Sequence, residues 1–433
     1  MGSESKLGPK IHLASLGCAK NLVDSEKLLG RLATAGAMVG APAEDADIVI
    51  VNTCGFIAPA KEESIQTVLE YSGLRKTGNI KKLIVMGCMA ERYADDLKLD
   101  LPDVDVFFGL HSHLDILKAC GLLPAAESDD ARLLLTPSHL AYLRISDGCD
   151  NRCSYCTIPL IRGPFKSRSP EAILAEAADL VRNGVRELVA IGQDTTSFGK
   201  DLQEPYPVHR LLQELATIED VRWIRLLYTH PAHFSDELIA EYANNHKLCS
   251  YVDIPLQHLN DNILRRMGRR VSKADCLDLI KRLRAQVPGI AIRTTFIVGF
   301  PGETDARFKE LLDLVRDIRF DHMGAFAYSA EPDTPAANLP NQVPPDVVED
   351  RLQALMLAQQ AIAFETNEAM IGKTVEVLID EATEEAGVWV GRTQSQAPDV
   401  DSATYVIGED LEAGQFVQAE VIQTEDYDLL AQA

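Results

Sequence analysis

"YLRISDGCDNRCSYCTIPLIRG", residues 142–163, starts as a strand candidate and runs into a loop that carries Cys149, Cys153 and Cys156 within eight positions. The strand, read over 142–148, is the first of six. The others are 187–193, 223–229, 251–257, 291–299 and 322–328, with helical patterns at 170–183, 207–217, 235–246, 273–286, 303–318 and 345–368. Ser169 suits a helix cap, Pro170 a first helical position and Gly184 a stop. Six strand–helix units in series predict a parallel barrel. A closed eight-unit barrel needs about 250 residues and two more strands, so the expectation is a partial (β/α)6 barrel. The cysteine loop then falls at the carboxyl ends of the strands, where such barrels carry their sites.

Upstream, residues 9–122 alternate in the same way. "IHLASLGC" (11–18), "DIVIVNTC" (47–54) and "KKLIVMGC" (81–88) each read as a strand that ends on a cysteine, with helical patterns at about 20–36 and 59–72. This predicts a parallel α/β sheet whose strand ends share one edge, so that Cys18, Cys54 and Cys88 converge. Downstream, "EPDTPAANLPNQVPPD" (331–346) is a Pro-rich connector. Residues 369–433 alternate apolar and polar positions between turns, which suits a small β-barrel of about five strands. The expected organisation is therefore α/β: a sheet domain over 9–122, a barrel over 135–368 and a β-domain over 369–433.

The 433 residues carry 46% hydrophobic and 25% charged side chains, the balance of a soluble globular chain. No apolar run reaches the roughly 18 residues of a membrane span. The opening MGSESKLGPK lacks the apolar core of a secretory signal, and Lys6 breaks the myristoylation pattern. Nine cysteines without an export signal point to a reducing, cytoplasmic compartment, where clustered thiols bind metal or do chemistry. The net charge of −23 disfavours general nucleic-acid binding and would attract a basic partner.

On residue type alone, Cys149, Cys153 and Cys156 admit several readings: core thiols, half a zinc site, a redox pair, or ligands of an iron–sulfur cluster. A structural zinc site wants four ligands, and His139 is a weak fourth. Polar neighbours such as Asp147, Asp150, Asn151 and Arg152 argue against core thiols. Thiolates are also the usual holders of iron–sulfur clusters.

The CxxxCxxC spacing, with Tyr155 just before the last cysteine, resembles the radical S-adenosylmethionine signature. The resemblance implies a 4Fe-4S cluster held by three cysteines, with its fourth iron open to the amino and carboxylate groups of S-adenosylmethionine. It implies S-adenosylmethionine contacts at Tyr155, at Gln193 and Asp194 in "LVAIGQDTT" (188–196), and at Gly299 in "TTFIVGFPGE" (294–303). Read plainly, Gly299, Pro301 and Gly302 close a turn before a helix. "YVDIPLQH" (251–258) likewise puts Gln257 and His258 at a strand end.

Cys18, Cys54 and Cys88 read on their own as buried thiols or as a second trio of ligands. Gly17 and Gly87 beside them would let a bulky group approach the backbone. Cys120, Cys249 and Cys276 read as structural. A three-cysteine α/β domain, a radical barrel and a terminal β-domain follow one another in the methylthiotransferases, and the chain resembles that family over nearly its whole length. The resemblance implies two 4Fe-4S clusters facing one another, one yielding a radical and one carrying sulfur. S-adenosylmethionine would serve as both methyl donor and radical source. No catalytic residue beyond the cluster ligands is assigned.

Two branches of the family differ in substrate: an adenosine of transfer RNA, or an aspartate of small-subunit ribosomal protein twelve. Residues 371–433, which correspond to the family's TRAM domain, hold two basic residues, Lys373 and Arg392, against 14 acids, a net of −12. Such a domain repels RNA and suits a basic ribosomal protein, although a charge run is usually only a solvated face. "SLGCAKNLVDSE" (15–26), "NTCGFI" (52–57) and "FIVGFPGETD" (296–305) are similar in wording to the ribosomal-protein branch. The expected partners are that protein and an electron donor, with no membrane and no direct nucleic-acid contact. An iron–sulfur or zinc module without catalysis is the alternative from a different class.

Overall fold

A computed structural model describes residues 8–78, 80–124 and 131–433. Most of the opening stretch read above for a leader, Lys6 included, lies outside these. The chain groups into two compact units, one of them everything up to Leu135 together with Gly148–Asp150 and Thr157–Pro164, the other the remainder.

The first unit is built on a five-stranded, all-parallel sheet. Its order is Met38–Val39, Lys10–Ser15, Ile48–Thr53, Lys82–Gly87, Val106–Phe108. Alternation along the strands explains the layering. Ile48, Ile50, Ile84 and Met86 pack with Leu28, Leu32 and Ile116 on one face, while Val49, Val51, Leu83 and Val85 pack with Val68, Met89 and Leu97 on the other. Both faces are covered, as a parallel sheet requires. The two outer strands were not expected from sequence: at two and three residues they are too short to carry a period. Helix Cys88–Asp100, also not expected, starts directly at the end of its strand.

In the second unit six strands appear where six were expected: Leu140–Arg144, Glu187–Ile191, Trp223–Leu226, Tyr251–Asp253, Ala291–Val298 and His322–Ala327. They form two parallel triplets, with Glu187–Ile191 and Ala291–Val298 at the centres. A parallel bridge between Ile224 and Leu248 lies where the triplets adjoin. Helix Pro170–Arg182 is capped as its sequence predicts, with Ser169 Oγ accepting from the Ala172 N–H. Helix Pro345–Glu368 packs on the last strand and on helix Asp305–Ile318, which covers an edge that the open barrel leaves.

The C-terminal β-domain is a closed five-stranded barrel of Thr374–Ala382, Val388–Arg392, Thr404–Ile407, Phe416–Glu425 and Asp428–Gln432 around Val377, Ile379, Val406, Ala419 and Ala431. It docks on the strand-start end of the six-stranded barrel. Arg392 pairs with Glu187 at 2.7 Å, Asp399 accepts from the Tyr142 hydroxyl at 2.6 Å, and Asp401 accepts from the Tyr251 hydroxyl at 2.7 Å. Glu376 meets Arg222 and the Trp223 indole. Much of the acidic count is therefore structural: Glu376, Asp380, Asp399 and Asp401 are paired at this joint, and Asp428 caps the Ala403 N–H. The exposed acids are Glu381, Glu384, Glu385, Glu409, Asp410, Glu412, Glu420, Glu425 and Asp426, and Asp399 is exposed too although it accepts from Tyr142. Among the described residues, no helix is long and apolar enough to cross a membrane.

Candidate active site

The structure places Cys18, Cys54 and Cys88 just past the ends of three adjacent strands. Cys18 is the N-cap of helix Ala19–Thr34, Cys54 follows strand Ile48–Thr53, and Cys88 is the first residue of its helix. Helix N-termini favour thiolates. The packing is tight because two residues lack side chains. A Cβ on Gly17, at φ +86°, would lie 2.8 Å from Cys54 Cβ, and one on Gly87, at φ +101°, 2.2 Å from Asn52 Oδ1. The Cys54 N–H donates to Ser64 Oγ at 3.0 Å.

Asn21 organises this corner, and sequence reasoning missed it. Its Nδ2 donates to the Leu16 and Thr53 carbonyls at 3.1 and 3.0 Å, which aims Oδ1 at the sulfurs. That oxygen accepts from the Cys88 thiol at 3.2 Å and from Arg162 Nη2 at 2.8 Å. Arg162, also missed, is buried. It pairs with Asp24 at 2.9 Å and stands 3.7 Å from Cys88 Sγ. The signal was present in part: Asn21 lies three residues past Cys18 and Arg162 six past Cys156.

The three thiols act on one another electrically. Cys18 is exposed yet crowded, and desolvation works against its thiolate. The Lys20 ammonium, the Asn21 N–H and Arg162 outweigh that and bring it below its ordinary value. Burial raises Cys54, and the Cys18 charge adds to it. Burial pushes Cys88 up to about 12, with Cys18 and Cys54 adding and Arg162 opposing. Three such thiols ionise together only around a cationic centre. Among the described residues, no three His, Cys, Asp or Glu groups stand close enough to hold a single metal ion. An iron–sulfur cube takes one thiolate per iron, so three thiols suit three of its four irons.

The second trio is divided between the two compact units. Cys149 belongs to the first, its N–H bound to the Gly163 carbonyl at 3.2 Å, and Cys153 and Cys156 belong to the second. The loop is pinned at Ser154, whose N–H and hydroxyl donate to the Met267 and Arg266 carbonyls, both at 2.8 Å. Tyr155 meets Phe300 edge-on at 6.4 Å. Arg269, buried, donates to the Pro255 carbonyl at 2.6 Å and stands 3.9 Å from Cys153 Sγ.

At the carboxyl ends of the first two barrel strands, Gln193 Nε2 donates to Asp147 at 3.1 Å, while Gln193 Oε1 and Ser146 Oγ are buried with no partner among the described residues. Orphaned buried oxygens at a barrel mouth suit a ligand that brings donors, such as an amino group. Asp194 is already saturated by Asn151, Thr196, Ser197 and His233. Burial opposes its ionisation, but the His233 and Thr196 hydrogen bonds hold its carboxyl far below the usual range. Burial, then Arg269, pushes His230 down to about 3, so it is neutral at working pH. Gly299, at φ +75°, backs onto Val348, 2.3 Å from where a Cβ would sit, and its N–H donates to Glu303. His258 Nδ1 accepts two backbone N–H groups, which leaves the proton on Nε2 to face Glu303 at 3.2 Å. Cys120, Cys249 and Cys276 are buried.

Residues 143–315 match the family model described as the radical SAM superfamily, residues 10–109 that of the uncharacterized protein family UPF0004, and residues 371–433 that of the TRAM domain. A protein of Clostridioides difficile named ribosomal protein uS12 methylthiotransferase RimO is 45% identical, over 97% of this chain and 98% of its own length. One of the same name from Heliobacterium modesticaldum is 44% identical, over 100% of this chain and 96% of its own. Among solved structures, the radical S-adenosylmethionine methyltransferase TsrM of Kitasatospora setae superposes with a TM-score of 0.54 at 14% identity, covering 76% of this chain and 77% of that one, a likeness of fold alone.

Proposed function

This chain belongs to the RimO family of ribosomal protein uS12 methylthiotransferases, and on that premise we propose that it attaches a methylthio group to the β-carbon of an aspartate in uS12. The observation that carries the reading is the thiol trio at the edge of the first sheet, in a chain that also bears a radical S-adenosylmethionine loop. Relatives named for a ribosomal protein, and a terminal domain poor in Lys and Arg, count against the transfer-RNA branch.

Cys18, Cys54 and Cys88 hold one 4Fe-4S cluster, and Cys149, Cys153 and Cys156 hold the other. When bound, the clusters and S-adenosylmethionine would supply the electron, the radical chemistry, the sulfur and the methyl group. The chain's part is to hold and orient. Asn21 fixes the Cys88 sulfur against two strand ends. Ser154, pinned on both sides, fixes the radical loop. Tyr155 packs beside it, and Gln193 and Ser146 offer acceptors to the S-adenosylmethionine amino group. Asp194 keeps Asn151 and His233 in place, and Gly299 lets the helix from Pro345 close behind the site. Residues 9–122, 135–368 and 369–433 act as sulfur-carrying, radical and substrate-docking domains. The exposed acids of the last attract the basic substrate, an electron donor restores the radical cluster, and the reaction belongs to the cytoplasm.

The test is the mass of uS12 from cells with and without this protein. The expected gain is one SCH2 unit on an aspartate, and an unchanged mass refutes the reading. Anaerobically reconstituted protein should hold about eight irons with matching sulfide. Zinc without sulfide would point to a non-catalytic module.

A further inference from the structure

We propose that Arg162 is the fixed counter-charge of the Cys18–Cys54–Cys88 site. It is a positioning residue through which the segment after the radical loop completes that site. The proposal rests on the reading that this trio holds a cluster. Four observations carry it. Arg162 ends the short helix Ile158–Ile161, and Ile161 packs with Cys88 and Leu110. Its side chain is 2% exposed, so its charge is screened little by water. One nitrogen, Nη2, meets Asn21 Oδ1 at 2.8 Å and Asp24 at 2.9 Å, and lies 3.7 Å from Cys88 Sγ. The Asn21 oxygen it grips is the one that accepts from the Cys88 thiol.

A purely structural ion pair with Asp24 would explain the burial but not the aim at sulfur. Three thiolates around iron and sulfide make an anionic assembly in a low-dielectric corner, and a guanidinium that cannot lose its proton is the side chain suited to offset it. Asp24, bound to the same nitrogen that approaches Cys88, sets how much positive charge reaches the sulfurs. Removing Arg162's charge and removing Asp24's charge should therefore act in opposite directions.

The experiment uses the full chain with Cys149, Cys153 and Cys156 replaced by Ala, so that only the first site reports. Iron, sulfide and the reduction midpoint, followed by electron paramagnetic resonance, are measured in this parent and with Arg162→Gln, Arg162→Lys and Asp24→Asn added. The expected result is a lower midpoint for Arg162→Gln, with less iron retained, a higher one for Asp24→Asn, and a value near the parent for Arg162→Lys. Midpoints that stay put, or that move the same way in Arg162→Gln and Asp24→Asn, overturn the proposal. Should Arg162→Gln retain no iron, Asp24→Asn decides: a higher midpoint supports the proposal, and an unchanged or lower one overturns it. A parent without iron in this site removes the site reading itself and the proposal with it.

Discussion

Glu187→Gln deletes one negative charge at the joint between the six-stranded barrel and the terminal β-domain while keeping the side chain's shape. Glu187 is fully buried, with one oxygen on Arg225 at 2.9 Å and the other on Arg392 at 2.7 Å. Arg392 would keep Asp380, at 2.7 and 2.8 Å. Arg225 would keep the Gln394 carbonyl at 2.7 Å and the Tyr251 ring, with its Nη2 already lacking a partner among the described residues. Breaking a buried pair from one side costs about 3–5 kcal/mol. The Gln amide can still accept one hydrogen bond, which returns about 1 kcal/mol. The net, about 2–4 kcal/mol, is roughly a 30-fold to several-hundred-fold rise in local opening. Hydrogen exchange of strand Val388–Arg392 reads it directly. The pH dependence gives a second check. Burial opposes Glu187's ionisation, but Arg392 and Arg225 outweigh it and hold its carboxyl below the usual range. Asp380 is held low in the same way by His139 and Arg392. A lowered folded value stabilises fully above the ordinary carboxylate range and fades as pH falls through the folded value. Protection of this strand should thus decline in acid, and decline less steeply in Glu187→Gln. Exchange within threefold of the parent would refute the claim that this charge holds the joint.

Three further outcomes follow from the geometry. Gly17→Ala puts a Cβ against Cys54 at a φ only glycine adopts easily, so it should cost about four irons per chain; full iron content counts against the first site. Glu303→Gln weakens the acceptor shared by Arg351, the Gly299 N–H and His258, and should lower stability by about 2 kcal/mol in thermal unfolding; an unshifted midpoint contradicts it. Lys at Glu384, Glu385, Glu409 and Glu412 should raise the KM for intact uS12 severalfold with kcat unchanged, more at low salt; equal KM values remove these acids from docking.

The parts of the fold with a strong period were legible in the sequence: six strand–helix units and three strands that each stop shortly before a cysteine. The edge strands Met38–Val39 and Val106–Phe108 were not, since two or three residues carry no period. The partners that organise the thiols were hidden for a different reason. Arg162 and Asn21 are 141 positions apart, and no local pattern says that they meet. Charge counting failed in its own way. Asp380, Asp399 and Asp401 look like surface acids in sequence, yet they accept from His139, Tyr142 and Tyr251 at the joint. Glu187 and Arg225 likewise sit in strands whose patterning gave no hint of a buried ion triad.

The position of that joint limits how a substrate can be held. The terminal β-domain meets the strand-start end of the barrel, at Tyr142, Glu187, Trp223 and Tyr251, whereas Gln193, Gln257 and Gly299 lie at the opposite ends of their strands. From Glu187 to Gln193 is six steps along the chain, about 20 Å at strand spacing. Acids beyond that joint cannot reach a residue at the barrel mouth through a short peptide. They can act only on a substrate long enough to lie along the barrel wall, and through long-range attraction that salt screens. On the proposed reading, in which these acids dock the substrate, docking and chemistry are separable in this chain. The Lys substitutions should weaken intact uS12 and leave a peptide of a few residues around the target aspartate unaffected, because for such a peptide only the barrel mouth is within reach.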